Sequence, residues 1–339
     1  MPPRAPEVTR ETLKKGLPAQ TASRGAGILP VILPSLRVAV LLTLGIGILL
    51  PGLALAQGEG PHVYLPAPDG TNIFSFTYMN LSTNLNFNQS IKLKDADIKI
   101  NIFVPTYMRY FSLGGRLSEV TFSPIFGNLS GSVAVANRVI NVPRQSGFFD
   151  SYVGFRIGLV GAPALKLPEF MKHKQGFQLY GLVGVYIPLS EYDSSRPINL
   201  GTNRWGIRLG APMVMPFGKP ARPVNLEVNP TVIFFTANND PFGAATRRTQ
   251  QPLFQVENHL SYNLTKKLWG SLDLRYQYGG ETTTDGVPDD NGLQQLGGGV
   301  TLGYAITRKL GAQVSYGDLL YKNDHSHARM WRLRATYVF

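Results

Sequence analysis

Near the C-terminus two residue classes alternate: Trp331, Leu333, Ala335, Tyr337 and Phe339 in one set, Arg332, Arg334 and Thr336 in the other. Successive side chains of a strand point to opposite faces, so this stretch reads as a strand with one apolar and one cationic face. The pattern recurs. Leu272, Leu274, Tyr276 and Tyr278 oppose Ser271, Asp273, Arg275 and Gln277, and Phe254, Val256, Leu260 and Tyr262 oppose Gln255, Glu257, His259 and Ser261. Earlier, Ile98, Ile100, Ile102 and Val104 oppose Lys99, Asn101 and Phe103. After position 56 no apolar run approaches the roughly 18 residues of a membrane helix. If such a chain enters a bilayer, it does so as a closed antiparallel barrel, the strand architecture that leaves no backbone polar group unpaired.

Residues 1–56 stand apart: a basic segment, an apolar run from Val38 to Leu50, then Ala54-Leu55-Ala56. That order predicts a secretory signal peptide cleaved before Gln57. The long basic region and Arg37 beside the apolar run leave a translation start near Val31 or Leu36 open. Pro51 and the small residues argue against an uncleaved anchor helix over 38–56. Of the net charge of +12, the basic N-terminal segment holds part; past position 56 the positive residues are scattered singly, which suits an anionic lipid or lipopolysaccharide boundary and gives little support to nucleic-acid binding. With no cysteine, disulfides and thiolate chemistry are excluded. Export and a terminal aromatic after an amphipathic strand resemble outer-membrane barrels, in which the closing strand, here with Tyr337 and Phe339, is part of the assembly signal.

The expected fold is all-β: a transmembrane up-and-down barrel over 72–339, preceded by a short periplasmic segment at 57–71, too short for a folded plug, with a small stopper in the lumen as its alternative placement. Twelve strands are expected, with ten or fourteen as alternatives: 72–85, 97–113, 117–129, 149–161, 176–192, 204–217, 223–236, 253–264, 269–278, 296–306, 312–321 and 328–339. Their connections alternate. Tight ones at Gly114-Gly115-Arg116, 218–222, 265–267 and 307–309 take turns with longer ones at 86–96, 130–148, 193–203, 237–252, 279–295 and 322–327. Short turns at one barrel end and larger loops at the other predict that alternation. The exception is 163–173, a long connection where a short one is due. Pro105, Pro124, Pro188, Pro212 and Pro230 interrupt ladder bonds and mark bulges or strand ends.

Alternation places Lys99, Arg109, Arg156, Arg208, Glu227, Glu257, His259, Asp273, Arg275, Arg332 and Arg334 in the lumen as candidate solute-pathway residues. Buried charges need partners, so Glu257 and Asp273 are expected to pair with Arg332 and Arg334. Two readings of this set stay open, a selective constriction and a structural ion-pair network. Glu257, His259 and Ser261 offer acid, base and nucleophile, but i, i+2 neighbours lie about 7 Å apart, too far for a ready triad. Neither a metal nor a cofactor is expected. His325 and His327 beside Asp324 sit in a polar loop, and 285–292 lacks the carboxylate spacing of a calcium loop. Gly297-Gly298-Gly299 precedes no helix, so it is not a phosphate cradle.

Two blocks go further than a generic barrel: Tyr64-Leu65-Pro66-Ala67-Pro68-Asp69-Gly70-Thr71-Asn72, and the run 251–317 with Phe254 to Tyr262, Leu268 to Asp273 and Tyr278 to Gly286. The chain thereby resembles the outer-membrane transporters of the "MetA-pathway of phenol degradation" family. The resemblance implies a barrel that moves small hydrophobic or aromatic compounds, and it carries no catalytic residues. The expected function is passive uptake of such compounds, for lack of a nucleotide-binding loop or a periplasmic coupling domain. The alternatives are a barrel enzyme on lipid, resting on His259 and Ser261, and a structural barrel. The expected partners are outer-membrane lipid and lipopolysaccharide, the barrel assembly machinery with its periplasmic chaperones, and the solute.

Overall fold

The structure, a computed structural model, describes residues 58–84, 96–135, 138–219, 222–322 and 327–339. The predicted signal peptide lies outside the described residues, as do Asp324 and His325. Residues from Asn72 onward alternate long enough to form ladders, and twelve antiparallel strands result. They are β1 (Asn72–Thr83), β2 (Ala96–Leu113), β3 (Arg116–Ser123 and Phe126–Val135), β4 (Arg138–Phe148 and Ser151–Val160), β5 (Gln178–Ile187) and β6 (Gly206–Gly210 and Met213–Lys219). There follow β7 (Arg222–Phe235), β8 (Leu253–Asn263), β9 (Leu268–Gly279), β10 (Leu293–Ala305), β11 (Leu310–Lys322) and β12 (Ala328–Val338).

Each strand pairs with its sequence neighbours, and β1 pairs with both β2 and β12, so the barrel is closed. The closing register runs from Ile73 opposite Val338 to Thr83 opposite Ala328. Asn72 and Phe339 extend it by exchanging backbone bonds of 2.9 Å each way. Closure leaves no sheet edge to pair with another chain and satisfies the backbone throughout the apolar layer.

Prolines do break two strands, as their missing N–H requires. Pro124 separates the halves of β3 and Pro212 those of β6. The loop expected over 130–148 is instead the outer part of the β3–β4 hairpin, with Ala134 opposite Val139 and Gly131 opposite Val142. Its alternation is diluted by Gly131, Gly147 and Pro143, and its tip projects past the apolar band, where Arg138 to Asn141 are exposed.

The outer surface is apolar at mid-height, with Leu209, Leu272, Val300, Leu302 and Leu333 exposed. Aromatic residues ring both edges: Phe74, Tyr107, Tyr262, Tyr304, Tyr337 and Phe339 near the short-turn end, Trp205, Tyr278, Tyr321 and Trp331 near the other. Two such girdles about a band of aliphatic residues mark a membrane-spanning barrel. The end that carries the short turns and Phe339 is the periplasmic one. At the other end a small sheet of Arg248–Gln250, Thr282–Thr284 and Val287–Pro288 folds over the rim.

Candidate functional site

The lumen has two unlike walls. On β2 the inward set is Ala96, Ile98, Ile100, Ile102, Val104, Thr106 and Met108. From Ala96 to Val104 it joins Leu81, Leu129, Val133, Val142 and Met330 in one apolar cluster that starts at the extracellular mouth. Ile198 and Leu200, from the loop after β5, fold in and pack against the same cluster. Gln145 fixes that loop by donating to the Ile198 carbonyl at 2.8 Å, and Asp150 accepts from the Thr202 backbone at 2.8 Å.

The opposite wall, from β6 to β12, is polar and charged. Glu227, Glu257, His259, Asp273 and Arg332 all face inward and are buried. His259 Nδ1 lies 2.8 Å from Asp273, whose carboxylate also accepts from Ser271 at 2.6 Å and Thr301 at 2.7 Å. Glu257 lies 3.7 Å from both His259 and Arg275, and Arg275 donates to Gln255 at 3.0 Å. Networks of this kind hold a low-dielectric lumen together only when most members are satisfied.

The segment before β1 crosses the lower lumen and ties the walls together. At least over 58–65 it is therefore a luminal strap, the alternative to a periplasmic segment. Glu227 accepts the backbone N–H groups of His62 at 2.8 Å and Tyr64 at 3.0 Å. Arg332 donates to the Gly58 carbonyl at 2.7 Å, Arg334 donates to the Glu59 carbonyl, and Arg208 pairs with the Glu59 carboxylate. On the far side Arg156, paired with Glu119, donates to the Tyr64 carbonyl at 2.8 Å and lies 4.6 Å from the Tyr180 ring centre. Gly60 has φ +88°, and a Cβ there would come within 2.3 Å of the Arg332 guanidinium. A larger residue could not lie so close to the wall.

Nine of the eleven candidate pathway residues thus point inward, but not in the expected partnership. Arg332 and Arg334 reach strap carbonyls, while Glu257 and Asp273 are taken up by His259, Arg275 and strap backbone. Lys99 and Arg109 are corrections: both stand on the outer face of β2. Lys99 is exposed, and Arg109 donates to the Gly70 carbonyl and Asn72 Oδ1 at 2.9 Å on the periplasmic rim. On β2 the aliphatic residues take the lumen and Phe103, Tyr107 and Phe111 take the outside, so charge misleads about direction there.

Glu257, His259 and Ser261 do share a face, but Ser261 is bonded at 3.0 Å to His62 of the strap, whose ring stacks on Trp269 at 3.8 Å. As the spacing predicts, the three form no triad: His259 faces Asp273 and Glu257, while Ser261 bonds the strap. Sequence reasoning missed Glu59, His62 and Tyr64. The surplus of luminal arginines on β4, β6 and β12 was the signal that something outside the strands must supply acceptors.

Between strap and apolar wall lies a cavity of about 220 Å³. Met79, Leu81, Ile102, Val104, Met108 and Met330 line one side, and Glu59, Tyr64, Arg208, Glu257, Arg332 and Arg334 the other. Among the described residues no cluster of His, Asp and Glu could hold a metal ion.

Comparison with solved structures agrees with the fold. An outer membrane channel from Pseudomonas putida F1 matches with a TM-score of 0.68 at 22% identity, covering 83% of this chain and 100% of that one. The translocator domain of autotransporter NalP from Neisseria meningitidis matches at 0.46 and 11% identity, over 94% of this chain and 100% of that one. The Ralstonia pickettii toluene transporter TbuX matches at 0.40 and 9%, over 85% and 96%. Among curated proteins compared by sequence, none matches. The model of the family described as "Putative MetA-pathway of phenol degradation" matches residues 82–320. That span is well over half of the chain, and with a closed twelve-stranded barrel of channel fold it makes the protein an outer-membrane member of this family.

Proposed function

We propose that the protein admits small hydrophobic or aromatic compounds through the outer membrane by passive diffusion, with the N-terminal strap setting how freely they leave the lumen. One observation carries this reading: the apolar wall runs without interruption from Ala96 at the extracellular mouth through Ile98, Ile100 and Ile102 to the cavity above the strap. A channel for ions or sugars has no use for such a wall, since polar solutes need hydrogen-bonding groups to replace lost water. An apolar solute loses nothing there. The cavity is also of the right size, since an apolar void of about 150 Å³ holds one benzene ring.

Proteoliposomes carrying the purified protein, exposed to toluene, phenol and short fatty acids, test the proposal. Solute-dependent flux above that of protein-free liposomes is expected. No flux for any of them would remove the uptake reading and leave the barrel intact. We infer that lipid and lipopolysaccharide contact the outer band, and that Tyr337 and Phe339 present the closing strand to the assembly machinery. We also infer that Ser261 is structural, so Ser261→Ala should leave lipid A and phospholipid profiles, followed by mass spectrometry, unchanged.

A further inference from the structure

The connection between β4 and β5 is out of character for its end of the barrel. The other periplasmic connections are tight turns, whereas this one runs from Gly161 to Phe177 and contains the short helix α1 (Leu167–Phe170). Such length needs a reason, because a two- to five-residue turn suffices to join antiparallel neighbours.

The loop is built rather than slack. Leu117 donates its backbone N–H to the Ala162 carbonyl at 3.0 Å and Ala164 donates to that of Gly115 at 3.0 Å. Asp69 of the segment leading into β1 donates to the Leu165 carbonyl at 2.8 Å and pairs with Lys166 at 2.7 Å. So anchored, the loop nevertheless turns apolar side chains outward: Leu167 is 59%, Met171 75% and Phe177 46% exposed. Single exposed apolar residues need no explanation, but these sit on a fixed scaffold among Lys166, Lys172, His173 and Lys174, with Glu169 the one acid in the run. Glu169 itself accepts from the Lys166 backbone N–H at 3.3 Å, closing the first turn of α1.

The loop also sits at the edge of the membrane. Leu159 and Val160, which end β4, and Phe177, which leads into β5, are all exposed at the periplasmic limit of the outer band. Apolar residues interleaved with lysines at that height match the acyl–headgroup boundary, where aliphatic groups enter the upper acyl region and ammonium groups stay with phosphates.

We propose that this loop is a docking surface for the anionic glycerophospholipids of the periplasmic leaflet. Leu167, Met171 and Phe177 enter the leaflet, and Lys172 and Lys174 bind lipid phosphates. Docking would hold the loop in place and, through Lys166, Asp69 and Leu165, steady the base of the strap.

Because the chain has no cysteine, Met171→Cys or Leu167→Cys provides a single labelling site in the full protein. In nanodiscs of phosphatidylethanolamine with phosphatidylglycerol, a nitroxide at either position should be more accessible to oxygen than to a water-soluble nickel chelate. A label at Val287→Cys, exposed at the opposite rim, should show the reverse order. In native mass spectrometry, Lys172→Gln/Lys174→Gln should lower retained phosphatidylglycerol at least about fivefold, each surface cation being worth roughly that factor toward anionic lipid. A water-like label at both 167 and 171, or unchanged retention in the double variant, overturns the proposal. So does immobilisation seen in whole cells but absent from nanodiscs, which would point to a periplasmic protein.

Discussion

The two walls of the lumen are made of the same kind of element but obey opposite rules. On β8, β9 and β12 the charged or polar set turns inward and the apolar set meets lipid, as in His259, Asp273 and Arg332 against Leu260, Leu272 and Leu333. On β2 the order reverses: Ile98, Ile100 and Ile102 line the lumen, while Lys99 and Asn101 face outward with Phe103 and Tyr107. The difference shows a division of labour. A charged wall can hold a strap of backbone through its carbonyls and N–H groups, whereas an aliphatic wall can hold only the solute. The strap sits against one, and a cavity separates it from the lower part of the other.

The largest break in this comparison should come from the charged wall. Glu227→Ala removes the acceptor of two strap N–H groups, each costing about 1–3 kcal/mol when buried and unpaired. Strap occupancy should fall at least about thirtyfold on that basis. Single-channel recordings should show a wider, noisier open state, and a protease added at the periplasmic side should cut near His62. A variant as silent and as resistant as the parent would mean that the strap is not held where Glu227 holds it. Ile102→Asp acts on the other wall. A carboxylate there meets Val104 and Leu81 instead of a partner, so toluene flux should drop about tenfold, the equivalent of roughly 1.4 kcal/mol at the barrier. Ion conductance should stay level or rise. Equal losses of both would show that the wall shapes the pore without selecting solutes.

Arg334→Ala ranks below these. It removes one donor to the Glu59 carbonyl and one to Thr77 at 3.1 Å, with Arg332, Arg208 and Glu227 still in place. A conductance increase of a few fold is expected, smaller than that of Glu227→Ala. A larger one would transfer the main anchor from β7 to β12.

These tests divide along the line that separates what the sequence discloses from what it hides. The twelve strands, the closure of β12 on β1 and the inward set on β8 and β9 are legible, because one face is polar and a bilayer accepts only the other. Direction fails on β2 because there the apolar face lines the lumen, so the rule that polar residues turn inward misplaces Lys99 and Arg109. The hairpin at 130–148 hides for a related reason. Beyond the apolar band nothing constrains its outer face, so Val133, Val139 and Val142 do not alternate cleanly with polar residues. The strap is hard to read because residues 58–65 show no periodicity and bind largely through backbone groups that every sequence has. The glycines at 58 and 60, set where a Cβ would strike Glu257 and Arg332, and the side chains of Glu59 and His62 write its path into the sequence.

The smallest expected effect is also the most direct check on that reading of β2. Lys99→Gln and Arg109→Gln alter charges on the outer face, one exposed and one tied to the rim by bonds to Gly70 and Asn72. Charges that do not face the pathway cannot focus its field, so conductance and cation-to-anion selectivity should both match the parent within error. Lys99→Gln should be neutral for stability as well, whereas Arg109→Gln should cost about 1 kcal/mol in urea unfolding through its lost rim bonds. A selectivity change in either variant, with the strap undisturbed, would turn β2 around: the isoleucines would then face lipid, and the lumen would have one wall rather than two.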